Sequence, residues 1–225
     1  MSSVKEVQAH FDGIAKDYDY YKKKNWYYYQ NLKEFFAGLI PPGSSVLEIG
    51  CGTGALLHHV RPKRGLGIDS SRAMLEIARK RFPELEFRQI PAEELQGKEK
   101  FDYLVMADVV EHLSNLEQAL AKTAGCCRKG SVLIITSINP VWEPILDLAE
   151  RLGLKMPEGP HDWPGQERLR QLLERQGFQA RSTGYRLLIP KHVPFLSDYA
   201  NKHFARVPFL RGLGVIQFLV AEFKP

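Results

Sequence analysis

Glu48, Gly50, Gly52 and Gly54 have the residue types and spacing to hold a small cofactor. A glycine has no Cβ, so a ligand can sit almost against the backbone at each of the three. Val46, Leu47 and Ile49, just before them, suit a strand covered on both faces. Ala55-Leu56-Leu57, just after them, opens a helix whose unsatisfied amides face the turn. A nucleoside-type cofactor fits such a junction. A plain strand-turn-helix corner needs neither three alternate glycines nor an acid at the end of a buried strand.

Two cofactors compete for this turn. Gly50, Gly52 and Ala55 satisfy the dinucleotide pattern G-x-G-x-x-G/A, which serves a pyrophosphate on a helix N-terminus. Glu48, Gly50, Gly52 and Gly54 also closely resemble the E-x-G-x-G-x-G loop of class I S-adenosylmethionine (SAM) methyltransferases. SAM carries a sulfonium cation and no phosphate, and a carboxylate is tolerable beside a cation and unhelpful beside a pyrophosphate. The resemblance implies cofactor contacts along the turn, Cys51 included.

Gly65-Leu66-Gly67-Ile68-Asp69 reads as a second strand ending in an acid, after Arg61-Pro62 breaks the first helix. In either cofactor class an acid here accepts hydrogen bonds from ribose hydroxyls. Its alternative role is the N-cap of the next helix, which Ser70 or Ser71 also fits. Ser71 to Leu75 is similar to the helix start that follows this acid in many SAM methyltransferases. Ser70 becomes a cofactor contact on that basis, and Met74 reaches the adenine or packs in the helix core.

Two later stretches extend the likeness. Leu85 to Gln89 alternates as a short strand and leads into Ile90-Pro91-Ala92-Glu93-Glu94-Leu95. In the family this loop sets a small residue and an acid beside the adenine, which implies Ala92 and Glu93 here. Phe101 to Asp108 is the next strand, and Val109-Val110-Glu111-His112-Leu113 is its exit. The pair strongly resembles the fourth strand and exit loop of the bacterial quinone-biosynthesis type of SAM methyltransferase. The resemblance runs from about Phe11 to Ser137. It implies an α/β fold: a Rossmann-like three-layer sandwich around a seven-stranded, mostly parallel sheet whose last strand is antiparallel. Asp108 is then a further cofactor contact at the strand end.

The residue pattern agrees with that class. Strands and helices alternate, which implies a largely parallel sheet with helices on both faces. Helices are expected from about Asn115 to Ala124, ended by Gly125, and from Gln166 to Gln176, ended by Gly177. Strands are expected at Ser131–Thr136, from Phe178 and at Gly214–Ala221. A chain of 225 residues, 44% hydrophobic, builds one domain with a sizeable core. Its three cysteines form no disulfide framework and no C-x-x-C metal site, so a reducing cytoplasm is the expected compartment. No stretch reads as a signal peptide or a membrane span. A net charge of +5 is too modest to imply a nucleic-acid partner.

Three segments outside this core are expected to select the substrate. The first is an N-terminal arm over residues 1–40. His10 to Asp19 is similar to the F-D-x-x-A-x-x-Y-D lead-in of quinone-type methyltransferases, which covers the SAM pocket and implies a contact from Tyr18. The run Tyr20 to Tyr29 is either a lid of aromatic rings and lysines or part of one amphipathic helix to Phe36, with Trp26, Tyr29, Phe35 and Phe36 partly buried. The second is a lid-like insertion over 138–165, with Trp142, Ile145, Leu146, Ala149 and Leu152 at helical spacing. Trp142 and Trp163 either wall an apolar acceptor pocket or anchor the insertion. The third runs from Pro190 to Arg211. Phe195, Leu196, Tyr199, Phe204, Phe209 and Leu210 mix there with Lys191, His192, Lys202, His203, Arg206 and Arg211. Such a surface meets anionic membrane lipid at the periphery, or is a solvated helix.

The implied reaction is methyl transfer from SAM, leaving S-adenosylhomocysteine (SAH), to a small-molecule or lipid-linked acceptor, at oxygen before nitrogen or carbon. A hydroxyl acceptor must lose a proton, and His112 is the best-placed candidate base, with helix capping as its alternative role. Asp108, Glu111 and His112 also resemble a divalent-metal E-x-x-E-H set, but the shorter Asp108 departs from it and no metal is assigned. The rival readings are an NAD(P)-dependent oxidoreductase of Rossmann type and a non-catalytic SAM-binding protein.

Overall fold

The computed structural model describes residues 3–157, 159, 161–203 and 212–225. In chain order its elements are α1 (Val4–Lys24), α2 (Trp26–Leu39), β1 (Ser45–Ile49), α3 (Ala55–His59), β2 (Arg64–Asp69), α4 (Arg72–Arg81) and β3 (Glu86–Gln89). They continue as β4 (Phe101–Ala107), α5 (Leu116–Ala124), β5 (Cys127–Ile138), α6 (Glu143–Arg151), α7 (Gln166–Arg175), β6 (Phe178–Arg186), α8 (Leu196–His203) and β7 (Ile216–Phe223). Single 3-10 turns sit at Ala92–Glu94, Val110–His112 and Pro140–Trp142.

The strands form one seven-stranded sheet in the order β3-β2-β1-β4-β5-β7-β6. The pairs from β3 to β5 are parallel, and β7 runs antiparallel to both β5 and β6. The expected Rossmann-like sheet with an antiparallel last strand is therefore present. The order in which strands are added reverses between β1 and β4, and an open α/β sheet leaves its ligand crevice at that point.

Strand alternation sorts β1 between two cores. Leu47 and Ile49 enter one with Ala119, Leu120, Leu169 and Leu173 from α5 and α7. Val46 enters the other with Phe36, Leu57 and Leu75 from α2, α3 and α4. Glu48 shares the parity of Val46, so it lies on the α1–α4 side of the sheet while remaining 3% exposed.

Several local expectations are corrected. Residues 4–39 form two helices rather than one, broken at Asn25, whose amide group bonds back to the Tyr21 carbonyl. Phe35 and Phe36 are buried and Tyr29 is half-buried, but Trp26 is exposed. The fifth strand is longer than Ser131–Thr136 because it pairs with β4 at Cys127 and with β7 out to Ile138. Gly125 does end α5, with right-handed backbone (φ −60°) rather than a left-handed cap. Its freedom from a side chain serves packing instead, because Gly97 lies against it.

Candidate active site

The glycine turn has three glycines with three different jobs. All have positive φ, a backbone region that disfavours other residues. A Cβ at Gly50 would overlap Val109, so this glycine lets β1 approach the exit of β4. A Cβ at Gly54 would come within 2.7 Å of Phe87, so this glycine lets α3 pack on β3. Gly54 does not line the cavity, and its place in the turn is set by this packing. Gly52 alone faces open space beneath Tyr18, whose ring edge would lie 3.5 Å from a Cβ.

That space belongs to a cavity of about 610 Å³ at the carboxyl ends of β1, β2 and β4. Its inner wall brings together Glu48, Cys51, Asp69, Ser70, Met74 and Asp108. Tyr18, Ala92 and Glu93 line it as well, and so does His112. Thus every expected contact except Gly54 reaches one cavity. Met74 is fully buried in the α4 packing and also presents to this wall.

Each acid here is held differently. Asp69 accepts the Gly52 amide on Oδ2 and the Ser71 amide on Oδ1, both at 2.8 Å. It therefore fixes the glycine turn as well as facing the cavity, while Ser71 Oγ caps α4 by accepting the Met74 amide. Burial raises the Asp69 carboxyl, and those two amides pull it back down. Glu93 Oε1 accepts from the Ser114 amide, the Ser114 hydroxyl and the Asn115 amide, so it also anchors the chain entering α5. Asp108 has left-handed backbone (φ 50°) and accepts the Tyr28 hydroxyl at 2.8 Å and the Thr136 hydroxyl at 2.9 Å. Strained backbone of this kind persists where the surroundings fix it. Asp108, Glu111 and His112 do not gather into a metal-ligand cluster among the described residues.

Glu48 is the unusual acid. Its Oε2 is buried with no hydrogen-bond partner. Burial pushes its carboxyl up to about 8, against the pull of Lys22 and a Leu57 backbone contact. Lys22 stacks over Tyr18 at 4.4 Å and Tyr29 at 4.9 Å, and its charge favours the ionised forms of Glu48, Asp69 and Asp108. Burial first, and then Asp69, Asp108 and Glu48, push the Tyr18 phenol up, so it stays a neutral donor.

The covering helix is tied down by the two acids of its F-D-x-x-A-x-x-Y-D lead-in, to which the sequence reading gave no role. Asp12 accepts the Ser71 hydroxyl at 2.6 Å and the Ala73 amide at 3.0 Å, at the start of α4. Asp19 accepts the Thr53 hydroxyl at 3.2 Å and pairs with Arg81. Lys22 and Tyr28 were also missed as individuals, because a run of tyrosines and lysines does not say which one turns inward. The helical phase of α1 and α2 decides it.

The outer part of the cavity is apolar. Leu146, Ala149, Leu154 and Met156 of the insertion face Trp26, Pro190 and Val215. Trp142 and Trp163 do not line it. Trp142 donates to the Leu213 carbonyl at 2.8 Å, and Trp163 is buried against His161. Both tryptophans anchor the insertion. His112 packs edge-on to Phe11 at 5.1 Å, which places it where α1 meets the β4 exit. Glu158 and Pro160 of the proline-rich loop lie outside the described residues, as do Phe204, Arg206, Phe209, Leu210 and Arg211 of the third segment.

The inner wall fits SAM better than a dinucleotide. A buried, partnerless carboxyl oxygen offers a site to a cation and opposes a pyrophosphate. Glu48 would face the positive part of SAM, Asp69 its ribose, and Ala92 and Glu93 its adenine. Known proteins agree on the cofactor. The methyltransferase-domain family profile matches residues 20–183, most of the chain. The chain belongs to the class I SAM-dependent methyltransferases.

Within that family it is 33% identical over 133 residues to a ubiquinone biosynthesis O-methyltransferase of Alkalilimnicola ehrlichii, covering 54% of this chain and 53% of that protein. It is 30% identical over 129 residues to the Bartonella quintana protein of the same name, covering 52% of each. The chain thus spans about half the length of the curated relatives it matches. Among solved methyltransferase structures, a possible histamine N-methyltransferase of Thermotoga maritima superposes with a TM-score of 0.73 at 21% identity, over 97% of this chain and all of that one. The SAH-bound magnesium protoporphyrin IX methyltransferase of Synechocystis gives 0.69 at 17% identity, over 98% of this chain and 99% of that one. At these identities the likeness establishes the fold.

Proposed function

We propose that this methyltransferase moves the methyl group of SAM to an oxygen of a small, largely apolar acceptor. The observation that carries the reading is the two-part cavity: an acidic inner wall with a partnerless Glu48 oxygen, continuous with an apolar outer part. The O-methyltransferase names of the relatives favour oxygen over nitrogen.

Bound SAM supplies a methyl group made electrophilic by a positively charged sulfur. The protein has to align the acceptor with that methyl and keep water out. Glu48 and Asp69 orient the donor. Tyr18 and the rest of α1, held by Asp12 and Asp19, cover it. The residues 138–165 act as a lid within the single domain, and Leu146, Leu154 and Met156 form the apolar floor for the acceptor. His112, on the cavity wall beside Phe11, is proposed to receive the hydroxyl proton at an imidazole nitrogen.

A lipid-linked acceptor and peripheral membrane contact are part of the proposal. Phe195 is 92% exposed, and Ile145, Leu148 and Tyr199 also point outward near the insertion and α8. Among the described residues no helix is long and apolar enough to cross a membrane. The reading places the enzyme in the cytoplasm, in passing contact with lipid.

Carbon-13-methyl SAM incubated with the protein and a small-molecule extract tests the reaction. The expected product is a methyl ether or ester, seen as a new O-methyl carbon resonance. Labelled N-methyl or C-methyl products alone would contradict the oxygen assignment. Labelled nothing, with SAM bound, would favour the non-catalytic reading.

A further inference from the structure

We infer that His10 is a positioning residue for methyl transfer: it seats the last loop of the lid, and through Phe11 it fixes the His112 ring on the cavity wall. This role rests on the part proposed above for His112 as proton acceptor.

His112 sits in a weak frame. It ends the single 3-10 turn Val110–His112, where its amide bonds to the Val109 carbonyl at 3.0 Å. Hydrogen bonds in such a turn are poorly aligned, so the direction of its side chain depends on what packs against it. Here that is a row of rings. Phe11 meets His112 edge-on at 5.1 Å, and His10 meets Phe11 edge-on at 5.2 Å. Edge-to-face pairs have a preferred geometry, so a ring fixed at one end of the row constrains the next. Phe11 and His112 line the cavity and His10 does not, so His10 acts from behind them.

The lid holds His10 in turn. Its Nε2 lies 3.1 Å from the Pro157 carbonyl, and a carbonyl only accepts, so this nitrogen carries the proton. Gly159, two residues on, lies against the same ring: a Cβ there would come within 2.7 Å of the His10 Cγ. Gly159 also has left-handed backbone (φ 68°), so both conformation and space call for glycine at this contact. The loop then reaches the β4 exit. The Asp162 amide donates to the Glu111 carbonyl at 2.8 Å, one residue from His112. The lid loop is thus bonded to α1 at His10 and to the β4 exit at Glu111, and the rings of Phe11 and His112 join those two points. Met156, just before Pro157, lines the acceptor part of the cavity. One set of contacts therefore encloses the acceptor and aligns the base.

The test reads the lid loop, the His112 ring and the reaction separately. In the SAH-bound protein, His10→Ala should make the Asp162 amide exchange at least about fivefold faster, the factor for one lost hydrogen bond, and should shift the His112 ring resonances. SAH affinity should stay within about twofold, because Asp12 and Asp19 hold α1. Gly159→Ala should cause both changes in the wild type and smaller ones in the His10→Ala background, where the added Cβ meets no ring. Transfer of carbon-13 methyl from SAM to the small-molecule extract should slow at least about tenfold in His10→Ala, with KM for SAM unchanged. Unmoved His112 resonances in His10→Ala overturn the inference. So does an effect of Gly159→Ala that is equal in both backgrounds, or a loss of SAH affinity as large as the loss of transfer, which makes His10 a brace for α1 only. His112→Gln is read in the same transfer assay. If transfer survives there, the base reading fails first. If it is lost there and His10→Ala transfers at the wild-type rate, the inference alone fails.

Discussion

At the residue scale, Glu48 couples cofactor binding to protons. Its carboxyl is raised from 4.5 to about 8, so the cofactor-free protein carries a proton there at neutral pH. The groups facing it are Lys22 from α1, which favours the ionised form, and Asp69 from β2, which opposes it. A bound cation also favours ionisation. SAM binding should therefore release a proton below about pH 8, and affinity should rise with pH until then. Folding stability runs the other way. The native state holds a proton that the unfolded chain loses above 4.5, so the Glu48 contribution is present below 4.5 and is lost as pH rises to about 8. Calorimetry in buffers of different ionisation enthalpy should show the released proton in wild type and its loss in Glu48→Gln. Proton release that persists in Glu48→Gln would contradict the assignment. A second change acts through hydrogen bonds: Asp69→Ala should weaken SAM binding by about 1.5–3 kcal/mol, read by the same titration. Unchanged affinity would refute the ribose assignment. The acids at 48, 69, 93 and 108 were legible in the sequence because each ends or follows a strand. The separate duty of Gly54 was not, because it depends on Phe87 from another strand.

At the element scale, α1 is a cover held by side chains. Asp12 joins it to the first turn of α4, where free amides and the helix dipole favour a carboxylate. Asp12→Ala should loosen this end and weaken SAH binding by about 1–2 kcal/mol, with faster amide exchange across α1. Equal exchange rates in variant and wild type would show that the tether is idle. Helix α2 is fixed by packing instead. Phe36→Ala should cost about 3–5 kcal/mol of folding stability, measured by denaturant unfolding. A loss below about 1 kcal/mol would mean that the site collapses without a cavity. The break at Asn25 was hidden in the sequence. The aromatic and basic pattern runs through it without a glycine or proline, and only the tertiary direction of α2 toward Phe218 and Leu57 makes the turn necessary. The α5 and α7 helices were legible because their stop signals are local.

At the scale of the whole molecule, the strand order brings the ends of β1, β2 and β4 together, and the cavity follows from that order. The parallel core was readable from alternating strands and helices. The insertion was readable as an extra helix, but the side that faces the cavity was not. Its apolar residues point both ways: Leu146 lines the cavity, while Ile145 and Leu152 face solvent. Periodicity alone assigns all three to one stripe. What joins these scales is the claim that the inner cavity takes SAM. The most direct test is a calorimetric titration of the wild-type protein with SAM, SAH and NAD. SAM and SAH should each bind at one site per chain and compete with each other, and NAD should produce no binding heat. Tight NAD binding without SAM binding would contradict the account.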